Sequence, residues 1–360
     1  MNIVFISNYL SAHLVKLCDE LYKINGGNFS FVSLYGPSGF KKTISSSFED
    51  KQYVCKYYQD NDCGVLLENA DVAIVGSFTP EVLSKLNKNA HLFFYSEHFT
   101  KSRPYLYRYI HVHFLRKKYK NEYLLCASSY AKSDYLKAGL YKGHYYKFGY
   151  FPNVSPFKKI QFNDVPKLLW VGRAINVKKL NNFIKLVKYL YKKGFVFSAD
   201  ILTSHSNISE RNIKKIDKLI KSGVVRVSYN SDNKEVFEKM KQADIFVFTS
   251  SRGEGWGAVL SEAINAGCAV ITSKKAGASR FLIKDNYNGY LYKNMHELKQ
   301  KCVALMFDKQ KRIELSSNCF DFVTNCWNEK IAAKNLCLLF KSIKESSNIH
   351  IEECEPVSKL

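Results

Sequence analysis

The stretch Phe246-Val247-Phe248-Thr249-Ser250-Ser251-Arg252-Gly253-Glu254-Gly255-Trp256-Gly257-Ala258-Val259-Leu260-Ser261-Glu262-Ala263-Ile264-Asn265-Ala266-Gly267 decides how the chain is read. An apolar run, glycines at alternate positions, an amphipathic segment and a final glycine predict strand, loop, helix and helix stop, and Cys268 to Thr272 supplies the next strand. Gly253, Gly255 and Gly257 let the backbone approach a ligand closely. The helix that starts near Trp256 offers unpaired N–H groups and a positive dipole end to an anion. In an open α/β sheet such a loop, at the carboxyl end of a strand, is a ligand site, and a phosphate-bearing ligand suits it.

Outward from this stretch, short apolar runs alternate with amphipathic segments, the mark of parallel βαβ units. Upstream, Lys167 to Gly172, Ser198 to Leu202, Val224 to Ser228 and Asp244 to Phe248 read as strands, with helices over Lys179 to Tyr191 and Lys234 to Gln242. The same rhythm fills the first half: Ile3 to Ile6, Phe29 to Leu34, Val72 to Val75, Leu92 to Tyr95 and Leu124 to Cys126, with a helix over Ala12 to Tyr22. Two doubly wound parallel-sheet domains follow. Pro152 and Pro156 mark the junction, so residues 1–150 form an N-terminal domain and 151–343 a C-terminal one. The polar, proline-containing segment 344–360 reads as a disordered tail.

A chain of 360 residues with 46% hydrophobic and 24% charged residues is that of a globular protein, which excludes disordered and fibrous classes. Apolar runs of four to six residues are far too short to span a bilayer. The first residues read as a strand rather than a secretion signal, so a cytoplasmic location is expected. The ten cysteines form no Cys-x-x-Cys pair and read as reduced thiols, mostly in the core. The net charge of +22 invites polyanionic partners, although a lysine-rich composition also produces a solvated basic surface.

Glu254 and Glu262 would lie roughly 12 Å apart if both were helical. That exceeds the roughly 5 to 9.5 Å of a glycosidase carboxylate pair. It suits two carboxylates that hold hydroxyls at separate places on one extended ligand. Solvated helices often carry such a spacing, and the glycine-rich loop around it is what favours the ligand reading. A second loop, Val171-Gly172-Arg173 with Lys178 five residues on, opens the C-terminal half.

Together these two loops resemble those of the retaining family-4 glycosyltransferases of GT-B fold, glycosyl transferases group 1. The hallmark Glu-(seven residues)-Glu is present as Glu254-Gly255-Trp256-Gly257 leading to Ser261-Glu262-Ala263, and the resemblance covers nearly the whole chain. It implies two Rossmann-like domains facing a cleft, with the last helix, Asn328 to Lys344, crossing back to the first. By resemblance Gly172, Arg173 and Lys178 bind the diphosphate of a nucleotide sugar, a UDP-sugar by preference. Glu262 would hold the ribose, and Glu254 with the Gly255, Trp256 and Gly257 backbone the donor sugar. Fixed cations at the departing phosphate would stabilise its growing charge, so no metal and no cofactor is expected.

The acceptor side is expected in the N-terminal half. Ser7-Asn8-Tyr9-Leu10-Ser11-Ala12-His13 resembles a loop of bacterial cell-surface polysaccharide transferases, which makes Asn8 and His13 candidates; Leu14 stands where many relatives have Gln. Glu97 and His98, after the strand Leu92 to Tyr95, are candidates to orient or deprotonate the acceptor. The segment 101–120 interleaves lysines and arginines with aromatics, as a helix lying on an anionic membrane would. A peripheral position on the inner face of the plasma membrane and a lipid-linked or glycan acceptor for polysaccharide or lipopolysaccharide synthesis fit it.

Three patterns are set aside. Asp60-Asn61-Asp62 has the form of a metal-binding Asp-x-Asp but sits in a turn, and His111 and His113 on a helix would point about 200° apart. Asp244 reads as structural. Rival readings are a nucleic-acid-binding protein, which lacks any accompanying motif, and a nucleotide-sugar epimerase of the same fold. A third rival, a degenerate binding subunit, is disfavoured by the intact Arg173, Lys178, Glu254 and Glu262 set.

Overall fold

The structure is a computed structural model that describes residues 1–37, 48–60, 62–99, 122–203, 209–229 and 232–360. The segment 101–120, including His111 and His113, lies outside the described residues, as do Asn61 and Asn230. The chain divides into two compact units, Met1–Asn153 with Cys326–Leu360, and Val154–Asn325.

The first unit runs β1 (Ile3–Ser7), α1 (Val15–Ile24), β2 (Phe29–Ser33), β3 (Val54–Lys56), α2 (Cys63–Glu68), β4 (Val72–Val75), α3 (Pro80–Lys85), β5 (His91–Ser96), β6 (Tyr123–Cys126), α4 (Ala131–Lys137) and β7 (Tyr145–Lys147). The strands form a parallel sheet ordered β3-β2-β1-β4-β5-β6-β7. Ile3, Val4, Phe5 and Ile6 are all buried, because helices cover both faces of such a sheet and every position of a central strand needs an apolar side chain.

The second unit runs β8 (Lys167–Val171), a 3-10 turn at Asn176–Lys178, α5 (Leu180–Lys192), β9 (Ser198–Thr203), α6 (Glu210–Lys221), β10 (Val225–Tyr229), α7 (Asn233–Gln242), β11 (Ile245–Phe248), α8 (Ala258–Asn265), β12 (Ala269–Ser273), α9 (Ser279–Leu282), β13 (Tyr290–Tyr292), α10 (Met295–Phe307) and α11 (Lys309–Asn325). Its sheet is parallel in the order β10-β9-β8-β11-β12-β13. The order reverses between β8 and β11, so the loops leaving those two strands diverge there and open a crevice at their carboxyl ends. Buried Asp244 joins this sheet to the incoming chain: its carboxylate accepts bonds from the Asn163 and Lys167 backbone N–H groups at 3.1 and 2.9 Å, and Lys159 lies 3.3 Å away. It is structural, as its place before β11 suggested.

The chain then returns to the first unit. Asn328 caps α12 (Glu329–Lys344) by accepting from the Ile331 N–H at 2.9 Å, and α12 packs on α1, with Phe340 against Phe93 at 4.7 Å. The expected junction at residue 150 is thus a division after Asn153, with the return already at Cys326.

Two expectations are corrected. The end of the segment read as a disordered tail pairs with the open edge of β7: the Lys147 N–H donates to Ser358 at 2.8 Å, the Leu360 N–H donates to Tyr145 at 2.8 Å, and Val357 and Ser358 are buried. Polar composition gave no sign of this, because what holds the segment is backbone hydrogen bonding to an edge strand. Cys55 and Cys63, read as reduced, are joined by a disulfide from β3 to the start of α2. Asp60 lies beside them and accepts from the Lys56 N–H at 2.6 Å, the bond of a turn. No helix among the described residues is long and apolar enough to cross a membrane.

Candidate active site

At the β8–β11 crevice two loops meet. Leaving β8, the chain turns at Gly172 (φ +154°), passes exposed Arg173 and tightens into the turn that ends at Lys178. Lys179 follows with φ +52°, a left-handed conformation that costs a non-glycine residue about 1 kcal/mol. The turn is fastened to the end of β11: the Thr249 hydroxyl donates to the Lys178 carbonyl at 2.6 Å, the Trp170 indole donates to Thr249 at 2.9 Å, and the Ser251 N–H donates to Val177 at 2.9 Å. Lys178 is thereby fixed against the glycine-rich loop.

That loop folds back on itself. Glu254 Oε2 lies 2.7 Å from Lys178 Nζ and accepts from the Ser250 hydroxyl at 3.0 Å, while the Lys178 ammonium stands 5.8 Å from the centre of the Phe248 ring. Gly257, at φ +97°, begins α8, and a Cβ there would sit 2.6 Å from Phe248 Cζ, so no larger residue fits. Glu262, in the second turn of α8, is pushed up to about 6 by burial, an effect restrained by the Lys178 charge. Both carboxylates therefore answer to one cation. Glu254 lies in the loop ahead of α8 and Glu262 within it.

Glu254 and Gly172 thus lie against Lys178, Gly257 lies against Glu254, and Glu262 feels the Lys178 charge, with Arg173 exposed where the loop leaves β8. Trp256, expected to contribute its backbone, has a side chain that is 1% exposed, with its indole donating to Ser261 at 3.1 Å. That side chain is packing. The sequence reading missed Trp170, Phe248, Thr249 and Ser250, which hold the lysine and its glutamate. The Thr249-Ser250-Ser251 run ahead of the glycines was the available sign.

A cavity of about 830 Å³ lies beside the amino end of β8. Its Lys159, Lys167, Lys241 and Lys309 are each paired with an acid of the same unit, which leaves a phosphate no uncommitted lysine there.

In the first unit the candidates separate into two groups. The His13 ring stacks on Tyr150 (5.4 Å between centroids, 4° between planes), and the Tyr150 hydroxyl donates to Glu97 Oε1 at 2.8 Å. His13 Nδ1 is shielded from solvent without a hydrogen-bond partner, and burial pushes the ring down to about 4, so it is neutral. His98 turns elsewhere: it is 4% exposed and its Nδ1 lies 2.8 Å from the Ser128 hydroxyl, which makes it a poor contact for an acceptor. Asn8 is exposed, and its carbonyl accepts from the Tyr35 N–H at 3.0 Å. Tyr150 was overlooked because it sits in what read as a linker.

Comparison with known proteins bears on the fold and on the second unit. The architecture is GT-B: the Anabaena protein HepE in complex with UDP superposes with a TM-score of 0.69 at 14% identity, covering 95% of this chain and all of that one. Residues 154–320, nearly all of the second unit, match the family model described as Glycosyl transferases group 1. An uncharacterized glycosyltransferase of Methanocaldococcus jannaschii is 27% identical over 199 residues, 53% of this chain and 49% of its own length. The poly(glycerol-phosphate) alpha-glucosyltransferase of Bacillus subtilis is 24% identical over 156 residues, 43% and 23%. The chain thus spans half or less of the curated relatives it matches.

Proposed function

We infer that the protein is a glycosyltransferase that moves a sugar from a nucleoside-diphosphate sugar to a glycan or polymer acceptor. The observation that carries this is the Lys178, Glu254 and Glu262 cluster beside the amino end of α8. Breaking the anomeric bond leaves charge on the departing diphosphate, and a held lysine, an exposed arginine and helix N–H groups favour that charge where it grows. Such a site needs no metal. Glu262 takes the ribose hydroxyls, and Glu254 with the Gly255 to Gly257 backbone takes the sugar. Glu97 orients the acceptor hydroxyl, and the departing phosphate on the same face takes its proton, so configuration is retained. UDP is the favoured nucleotide, supported by the UDP complex of HepE, and a cell-surface polymer the favoured acceptor, its polymeric nature supported by the poly(glycerol-phosphate) named for the Bacillus relative.

The test is calorimetric titration with UDP- and GDP-sugars, with and without manganese, and with a single-stranded oligonucleotide as control. Metal-independent binding of one nucleotide sugar, abolished in Glu262→Ala, supports the reading. Binding to the oligonucleotide alone refutes it.

A further inference from the structure

In the second unit α5 packs beside α10, and their apolar sides share one core through Phe183, Val187, Leu190, Leu298 and Cys302. What they leave outward is basic. Lys185, Lys188 and Lys192 are exposed and fall within about 60° of one another around α5, and exposed Lys193 follows. No acidic residue belongs to α5, and none of these lysines makes an ion pair among the described residues. The only acid of α10 is Glu297, which accepts from the Lys293 N–H at 2.8 Å, and Lys299 of the same helix stands 4.6 Å from the centre of the Tyr189 ring. Where α5 gives way to β9 the surface turns apolar. Tyr191, Val196 and Phe307 are 38%, 73% and 77% exposed, and the Phe195 ring meets that of Phe307 at 5.2 Å. Asp308, next to Phe307, is engaged at the start of α11, where it accepts from the Lys311 N–H at 2.7 Å.

We propose that this face of α5 and α10 docks on an anionic lipid bilayer, its lysines meeting the headgroups while Val196 and Phe307 enter the interface. A lysine near such a surface draws on its negative potential, and an apolar side chain gains by leaving water. Charge argues against a second copy of the chain as the occupant, because a two-fold contact through this face would set the same unpaired lysines against each other. A nucleic-acid strand would satisfy the lysines but leave Val196, which stacks on no base, in water. None of these residues belongs to the Lys178, Glu254 and Glu262 cluster, so the inference does not rest on the reading of that site.

The test sediments the full chain with vesicles of phosphatidylglycerol mixed with phosphatidylcholine, and with vesicles of phosphatidylcholine alone. Binding to the anionic vesicles only is expected. Lys188→Glu combined with Lys192→Glu should weaken it by about tenfold or more, since each lysine near such a surface contributes roughly fivefold. Val196→Ser combined with Phe307→Ser should weaken it by about tenfold as well, through lost apolar burial. Both variants change exposed side chains, so their thermal melts should match the wild type. Lys88→Glu combined with Lys234→Glu reverses two exposed lysines outside this face, and should change binding by no more than about twofold. Absence of binding, binding that survives both face variants, or an equal loss in the Lys88 and Lys234 variant overturns the proposal. So does a dimer in sedimentation velocity that Phe307→Ser dissociates, which would give the face to a second copy. Binding of a single-stranded oligonucleotide that the lysine variant abolishes, with the vesicles left unbound, overturns it in favour of nucleic acid.

Discussion

Lys178 Nζ lies 2.7 Å from Glu254 Oε2, with both side chains largely buried. An ion pair in such a place costs much to desolvate, and removing one partner leaves the other charge uncompensated. It holds the glycine-rich loop against the β8 loop, and a donor diphosphate would compete with Glu254 for the lysine. Lys178→Ala and Glu254→Ala should each destabilise the second unit, and the double variant should cost less than their sum. A coupling of about 1–2 kcal/mol in denaturant titrations is expected; strict additivity would show the contact to be inert.

Glu262 titrates near 6 rather than at its usual value near 4.5. Its folded-state pKa is raised, so its contribution to stability is whole below about pH 4.5 and is lost as pH rises through 6. The loss is about 2 kcal/mol at most. Glu262→Gln should flatten that window and be the more stable variant at pH 7.5, seen by thermal melts across the range. In the wild type, UDP affinity should fall as pH drops from 7.5 to 5, because the ribose hydroxyls donate to the ionised carboxylate.

His13 has the opposite sign. Burial lowers its pKa to about 4 from 6.5, so the unfolded chain takes up the proton first. The stability it contributes is complete above pH 6.5 and is lost progressively down to pH 4, up to about 3 kcal/mol. His13→Asn should remove this part of the acid unfolding curve, and an unaltered curve would assign the acid limb to other groups.

Gly257→Ala places a methyl group 2.6 Å from Phe248 Cζ at a φ of +97°. The loop or the ring must shift, and a loss of about 1–3 kcal/mol is expected. UDP binding should fall with it, since the start of α8 and Glu254 move together. Retained binding in calorimetry would separate the helix terminus from the nucleotide.

Arg173→Ala should lower turnover about a hundredfold with UDP affinity nearly unchanged, since an exposed guanidinium contributes mainly when charge develops on the leaving group. Glu262→Ala should chiefly weaken UDP binding. Asp60→Ala, which removes only a turn contact in the first unit, should do neither. Equal effects of all three on turnover would remove the site assignment.

Much was legible before any coordinates. Local periodicity placed β8, β11 and α8 within a few residues, because apolar spacing and helix stops are properties of neighbouring residues. The Glu254 and Glu262 motif lay on the loop and helix expected of it. The three-residue strands β3 and β7 were not legible, since three residues carry no period.

By itself the sequence determined two doubly wound parallel sheets and the identity of the loop that leaves β11, since both follow from the alternation of apolar runs and from glycines that only certain backbone angles require. Tertiary structure alone decided which groups meet. Lys178 reaches Glu254 because sheet order brings β8 beside β11. Tyr150 reaches His13 and Glu97, and Lys359 pairs beside Tyr146, across separations of tens to hundreds of residues. The Trp256 side chain joins the core for the same reason. Burial, charge pairing and an edge strand's free hydrogen bonds belong to the folded surface, and no local pattern encodes them.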